Sequence, residues 1–476
     1  MANCLEMEIK QKLSKLHCPF TWEIIDDFTR YSMACGNKYD QSLMIDKEIN
    51  PLQQLLDLLL DCYKFISSGD DKKAAKKINK AEELLIKIQH EKEYNQIIRV
   101  IEHVFYATKC FFLYDANVIV EIQEILPNIV DTEQFNDIEL GALYGCQSVI
   151  WMCMGDFGVV QAIDTAKKAL EKNQDCALWH FIFAKSLRRQ RRLISLSIDV
   201  SDLEKKHFEI AYATSTDDVF GIYYLQMRLE SFYKFCRDRN YVMRKNENEK
   251  DVTKIAKQIL QKKPKNFKVL LKLARIFLRV SSDESLLAKE CLDTVETLVP
   301  DNITCFHYKA ILYEGIGEYK EALYYYKKAA EHNNFAAELY YVQYGWEVGE
   351  LEPLPHLLRM LKKYDPIVAE KKISLFLAIA TTHYSLRKDM LNAADYFLKA
   401  LSVDPLNTKF KNFYKFLDFT TTNISYFLKN VFCPNLEKNQ PKMKITNDIK
   451  NLLDGKHVDD LIKEMKTLSV NTTEKH

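Results

Sequence analysis

Four basic side chains, Lys268, Lys272, Arg275 and Arg279, recur at i, i+4, i+7 and i+11 within Asn266–Val280. At 3.6 residues per turn that spacing puts all four on one helical stripe. Val269, Leu270, Leu271, Leu273, Ile276, Phe277, Leu278 and Val280 occupy the remaining surface, so the segment reads as an amphipathic helix with an all-cationic polar side. Such a stripe can neutralise a polyanion, and a solvated lysine face has the same appearance. The stripe closes a larger basic segment. From Arg237 to Arg279 there are 14 Lys/Arg against 4 Asp/Glu, an excess of ten in a chain whose net charge is +1. The first part, 237–250, reads as a charged connector. A second cluster, Arg188-Arg189-Gln190-Arg191-Arg192, closes a predicted helix, where cations also suit the C-terminal dipole.

The elements of catalysis do not assemble. There is no Gly-x-x-x-x-Gly-Lys-Ser/Thr loop and no Gly-x-Gly-x-x-Gly. His90-Glu91 begins a His-Glu-x-x-His pattern, but position 94 is Tyr. The 12 cysteines contain no Cys-x-x-Cys pair and sit mostly among apolar neighbours, as small buried hydrophobes do. We therefore expect no enzyme, no metal and no cofactor. No run of about 18 apolar residues implies a membrane span, and a cytoplasmic protein is the default expectation.

The elements that must position the stripe are helices. A chain of 476 residues exceeds what one hydrophobic core organises, and its 12 Gly and 11 Pro are few. Long stretches rich in Leu, Lys, Glu, Ala and Ile favour helix. In 306–334, Ala310, Tyr313, Gly317, Tyr319, Ala322, Tyr326 and Ala329 take the small and large packing positions of a tetratricopeptide repeat. Related units appear at Gly155–Ala169, from the basic helix through Ala288 and Leu292 to Pro300, and around Ala393, Phe397 and Ala400. The positions that close units, Pro264, Pro300, Asn334, Pro366 and Pro405, are 36, 34, 32 and 39 residues apart, straddling the 34-residue period. The expected fold is all-α, a tetratricopeptide-repeat α-solenoid of antiparallel helix pairs. Its expected divisions are N-terminal repeats over 1–135, central repeats over 136–240, C-terminal repeats over 241–433 and a polar tail over 434–476. In such stacks the first helix of each pair lines the inner surface, and 266–280 is a first helix.

Near the N-terminus stands Leu16-His17-Cys18-Pro19-Phe20-Thr21-Trp22-Glu23-Ile24-Ile25. This resembles the Leu-x-Cys-x-Phe-Thr-Trp-x-Leu-Leu opening of the interferon-induced proteins with tetratricopeptide repeats. The resemblance implies a non-enzymatic helical superhelix with a positively charged tunnel. Its ligand would be single-stranded RNA, held by a 5′ triphosphate or cap, in innate antiviral defence. Carried over by position, it implies RNA contacts at Gln41 and at Asn37 one turn before it. It also implies contacts at Phe157 after the Gly-x turn, at Arg189 and at Phe220, and Arg188 of the same basic cluster joins them as a candidate contact. The family's basic helix resembles the one carrying Lys268, Lys272, Arg275 and Arg279. The chain departs from the family where that pattern places a phosphate-binding lysine, since 151–155 reads Trp-Met-Cys-Met-Gly. Either the arginines of 188–192 replace it, or end selectivity is lost and general RNA affinity is kept.

Two functional expectations follow. The first is single-stranded RNA binding in a basic groove. The second is a protein-interaction scaffold, or co-chaperone, whose groove takes acidic peptides through the repeats. The 26 Tyr and 26 Phe offer stacking surface for bases, although inter-helix packing uses the same residues.

Overall fold

Helices form where the apolar period runs, and most consecutive helices pack as antiparallel hairpins. The computed structural model describes residues 2–24, 51–154, 158–194, 198–231, 239–280, 282–364, 369–439 and 444–454. They divide into two units, one up to Pro300 and one from Asp301. The chain is an all-α solenoid of tetratricopeptide-type hairpins, with one short β-hairpin among the described residues of the second unit.

The first unit contains α1 (Ala2–Leu13), α2 (Pro51–Ser67), α3 (Asp71–Gln89), α4 (Ile98–Asp115), α5 (Ile119–Ile125), α6 (Asp137–Cys153) and α7 (Val159–Lys172). It continues with α8 (Ala177–Ile194), α9 (Asp202–Thr214), α10 (Asp218–Glu230), α11 (Arg239–Gln261), α12 (Phe267–Val280) and α13 (Ser285–Leu298). The hairpins are α2/α3, α6/α7, α8/α9 and α12/α13. The starts are written locally. Asn136 and Glu139 close a reciprocal capping box on α6, and Ser201 and Asp217 cap α9 and α10 through their side chains. Small residues set the close approaches. Ala162, Ala166 and Ala169 of α7 are buried, and a Cβ on Gly145 of α6 would overlap the Trp179 ring of α8. One expectation is corrected here. The stretch 239–250, read as a connector, is part of α11, a helix of 23 residues. Its later turns bury Val252, Ala256 and Ile259, and that apolar spacing carries the helix through the charged stretch.

The second unit holds α14 (Ile303–Gly315), α15 (Tyr319–Glu331), α16 (Phe335–Glu347), α17 (Pro353–Lys363), α18 (Ala369–Thr382) and α19 (Met390–Val403). Ala310, Ala322, Tyr326 and Ala329 bury together with Phe306, as the repeat pattern requires. Gly317 turns the α14/α15 corner at φ +82°, where a side chain would be strained. The strands β1 (Tyr414–Phe416) and β2 (Phe419–Thr421) pair antiparallel with Phe416 opposite Phe419. After them come α20 (Ile424–Phe427), α21 (Cys433–Asn439) and α22 (Lys444–Leu453), and α22 packs on α19 through buried Ile449.

Candidate nucleic-acid interface

The first helices of successive hairpins stand side by side in the first unit. α2 contacts α6, α6 contacts α8, and α10 contacts α12. Side chains join α8 to α10. Phe181 stacks on Phe220 at 4.4 Å, and one helical stretch further along Arg188 meets Glu230. Both contacts advance in the same chain direction, so α8 and α10 run parallel, as first helices of neighbouring repeats do. α10 and α12 are also parallel. Lys272 meets Tyr223, and two turns later Arg279 Nη2 donates to the Leu229 carbonyl at 3.4 Å.

Three cations from two helices converge on one ring of the helix between them. The Lys272 ammonium lies 3.9 Å from the Tyr223 ring centroid, the Arg188 guanidinium 5.4 Å and the Lys185 ammonium 5.8 Å. Tyr223 is buried, as are Lys185 and Arg188, so its ring is no platform for a base. The negative face of an aromatic ring attracts each cation and eases their mutual repulsion. Arg275 is exposed on the same helix and makes no ion pair among the described residues. Lys268 and Arg279 are half-buried.

The arginine cluster of 188–192 is largely structural. Arg188 grips Glu230 with two bonds, Nη2 to Oε1 at 2.5 Å and Nε to Oε2 at 3.3 Å. Arg191 also reaches Glu230, at 2.5 Å, and pairs with Glu204 at 2.8 Å. All four side chains are close to fully buried. Burial pushes the Glu230 carboxyl up, but Arg188, Arg192 and Arg191 outweigh it and hold it at about 2. Burial pushes Glu204 up against the pull of Arg191. Arg189 Nη1 donates to the Met152 carbonyl at 3.1 Å, tying α8 to the end of α6. Arg188 and Arg191 thus stitch α8, α9 and α10 together.

At the α2–α6 end the surface changes character. Where the resemblance places a lysine, this chain has the Cys153 thiol, with the charges of Asp57 of α2, Lys185 and Lys64 around it. Burial first, then the Asp57 carboxylate, pushes that thiol well above its ordinary range, so it stays protonated. Asp61, one turn after Asp57, holds Lys77 at 2.6 Å and Lys64 at 3.6 Å.

Solved structures share this architecture at low sequence identity. The human IFIT1 dimer with m7Gppp-AAAA matches over 97% of this chain and 99% of its own, with TM-score 0.64 and 16% identity. The human IFIT1 dimer with PPP-AAAA covers the same shares, with TM-score 0.62 and 15% identity. An IFIT1 monomeric mutant with Gppp-AAAA covers 94% of this chain and 99% of its own, with TM-score 0.60 and 15% identity. The fold is that of IFIT1. No protein-family model matches this chain, and no curated protein matches it in sequence.

Beside the IFIT1 fold, the sequence-predicted residues sort clearly. Lys272, Arg275 and Arg279 share the stripe that α12 carries next to α10, with Lys268 at its start. Phe220 is only 3% exposed and packed on Phe181, so it supports the wall and cannot present its face. Asn37, Gln41 and Phe157 lie outside the described residues. The opening motif is architectural. Phe20 stacks on Phe111 at 4.8 Å, Trp22 is buried, and Thr21 Oγ1 donates to the Leu16 carbonyl at 2.6 Å. Sequence reasoning missed Lys185 and Glu230. Lys185 sits one turn before Arg188 and Arg189, so its helical phase was a usable signal. The pairing of Glu230 with arginines some forty residues away carried none.

Proposed function

We propose that this chain is a non-catalytic binder of single-stranded RNA and that the first-helix wall of its first unit is the binding surface. The observation that carries the reading is the cationic stripe of α12, with Lys272 seated 3.9 Å over the Tyr223 ring and Arg275 exposed beside it, next to Lys185 of α8. Cations concentrated on adjacent parallel helices suit a phosphodiester backbone running across them. The IFIT1 structures of the same fold contain capped or triphosphate oligonucleotides, which supports RNA over an acidic peptide. The finer form, recognition of a 5′ triphosphate or cap in antiviral defence, draws its support from those ligands and from the opening motif.

The test is fluorescence anisotropy with a ten-nucleotide RNA and an acidic peptide of equal charge at two salt concentrations. Lys272→Glu with Arg275→Glu is expected to weaken RNA binding at least about tenfold. The double change should also flatten the salt dependence by about 0.7 in slope for each phosphate that is no longer neutralised. Helicity should not change. Peptide binding without RNA binding would select the scaffold reading instead.

A further inference from the structure

The second unit carries an exposed combination of rings and cations of its own. Between Lys409 and Asn430 there are four lysines and one acid, Asp418. Lys409 and Lys429 are committed, to Glu370 at 3.3 Å and to Asp454 at 2.6 Å. Lys411 and Lys415 are exposed and make no ion pair among the described residues. Phe413 stands between them, 64% exposed, and is the one exposed phenylalanine among the described residues. Fraying does not account for that exposure. Phe410 on one side and Phe416 on the other are buried, and Lys415 pairs with Thr420 across the hairpin. Strand alternation turns Phe416 and half-buried Tyr414 inward and puts Phe413 and Lys415 on the outward face. Asn423 brings a second ring to the same place. Its Nδ2 donates to the Lys411 carbonyl at 3.4 Å, and its Oδ1 accepts from the N–H of Tyr426 at 2.8 Å. Tyr426 is 61% exposed.

We infer that this face of the second unit is a further contact for single-stranded RNA, in which Phe413 takes a base by stacking and Lys411 and Lys415 take the phosphates on either side of it. The inference rests on the RNA reading and adds a site outside the first-unit wall. An aromatic ring held on a strand surface is a recurrent platform for an unpaired base, and it accepts any base because every base has a flat face. Each lysine lies two residues from the ring, at most about 7 Å along the chain, so its long stem reaches a phosphate flanking the stacked base. A single exposed apolar side chain is ordinary on a protein surface, but a ring flanked by two uncommitted cations matches both parts of a nucleotide. The rest of the face is polar, with Thr420 and Thr422 exposed. That suits a nucleotide better than a membrane surface, which calls for a broad apolar face.

The experiment uses the full chain and a thirty-nucleotide single-stranded RNA carrying 5-bromouridine. Ultraviolet crosslinking followed by peptide mass spectrometry is expected to place a crosslink at Phe413. By anisotropy, Phe413→Leu should weaken binding about tenfold with helicity unchanged, and Phe413→Trp should bind at least as tightly as the natural protein. Lys411→Gln with Lys415→Gln should flatten the salt dependence by about 0.7 in slope for each lysine. A Phe413→Leu variant that binds RNA as tightly as the natural protein would overturn the inference and leave the first-unit wall standing. So would a variant that loses binding to phosphatidylserine vesicles while keeping its RNA affinity, the mark of a membrane contact. A natural protein that binds no RNA would instead sink the RNA reading, and this inference with it.

Discussion

Replacing Glu230 by Gln removes a carboxylate shared by Arg188 and Arg191 while keeping its shape. Glu230 is 11% exposed and both arginines 7%, so solvent does little to screen the loss. The carboxyl is held at about 2 against an ordinary 4.5. Some 2.5 pK units at 1.36 kcal/mol each give about 3 kcal/mol at pH 7. Breaking a buried ion pair from one side costs about 3–5 kcal/mol in general, so two routes agree. The unfolding equilibrium of the first unit should shift roughly hundredfold, read as a lower urea midpoint by circular dichroism. The sign with pH follows from a depressed carboxylate pKa. The stabilisation is complete above about 4.5 and is lost as pH falls toward about 2. The gap between natural protein and variant should therefore shrink across that window. A gap below about 1 kcal/mol at pH 7, or one that does not narrow with acid, would refute the claim that this network holds α8, α9 and α10 together.

Three further outcomes are expected. Tyr223→Phe keeps the ring beneath Lys185, Arg188 and Lys272 and should bind RNA within about twofold of the natural protein, whereas Tyr223→Leu should weaken binding about tenfold by anisotropy. Gly145→Ala drives a methyl group into the Trp179 ring and should cost about 1–3 kcal/mol, seen as a lower melting temperature. Burial, then the neighbouring His180, lowers His207 to about 4, so the folded state resists its protonation. Stability should fall as pH drops from about 6.5 toward 4, and His207→Gln should flatten that part of a denaturation-versus-pH curve.

Much of the fold was legible because its information is local. The alanine, tyrosine and glycine positions of 306–334 recur at a helical period; Ala310, Ala322, Tyr326 and Ala329 are buried and Gly317 makes the turn, while Tyr313 is half-buried and Tyr319 exposed. The amphipathic α12 was equally clear, because one helix fixes the phase of its own residues. The connector at 237–250 failed for a related reason. Its charges hid an apolar spacing that becomes visible only when the helix is followed to Gln261. Phe220, Arg188 and Arg189 were read as ligand contacts because residue type and position resemble such contacts. That Phe220 packs on Phe181 and Arg188 pairs with Glu230 depends on which neighbour occupies the next helix.

By itself, then, the sequence determined that this chain stacks helical hairpins and that one first helix carries a cationic stripe. Both follow from 3.6-residue periodicity and need no partner. The tertiary structure alone decided which cations are committed and which face the wall. Glu230 neutralises two arginines from some forty residues away, and Tyr223 gathers Lys185, Arg188 and Lys272. Charge and burial at a site are sums over neighbours in space, and only folding brings those neighbours together.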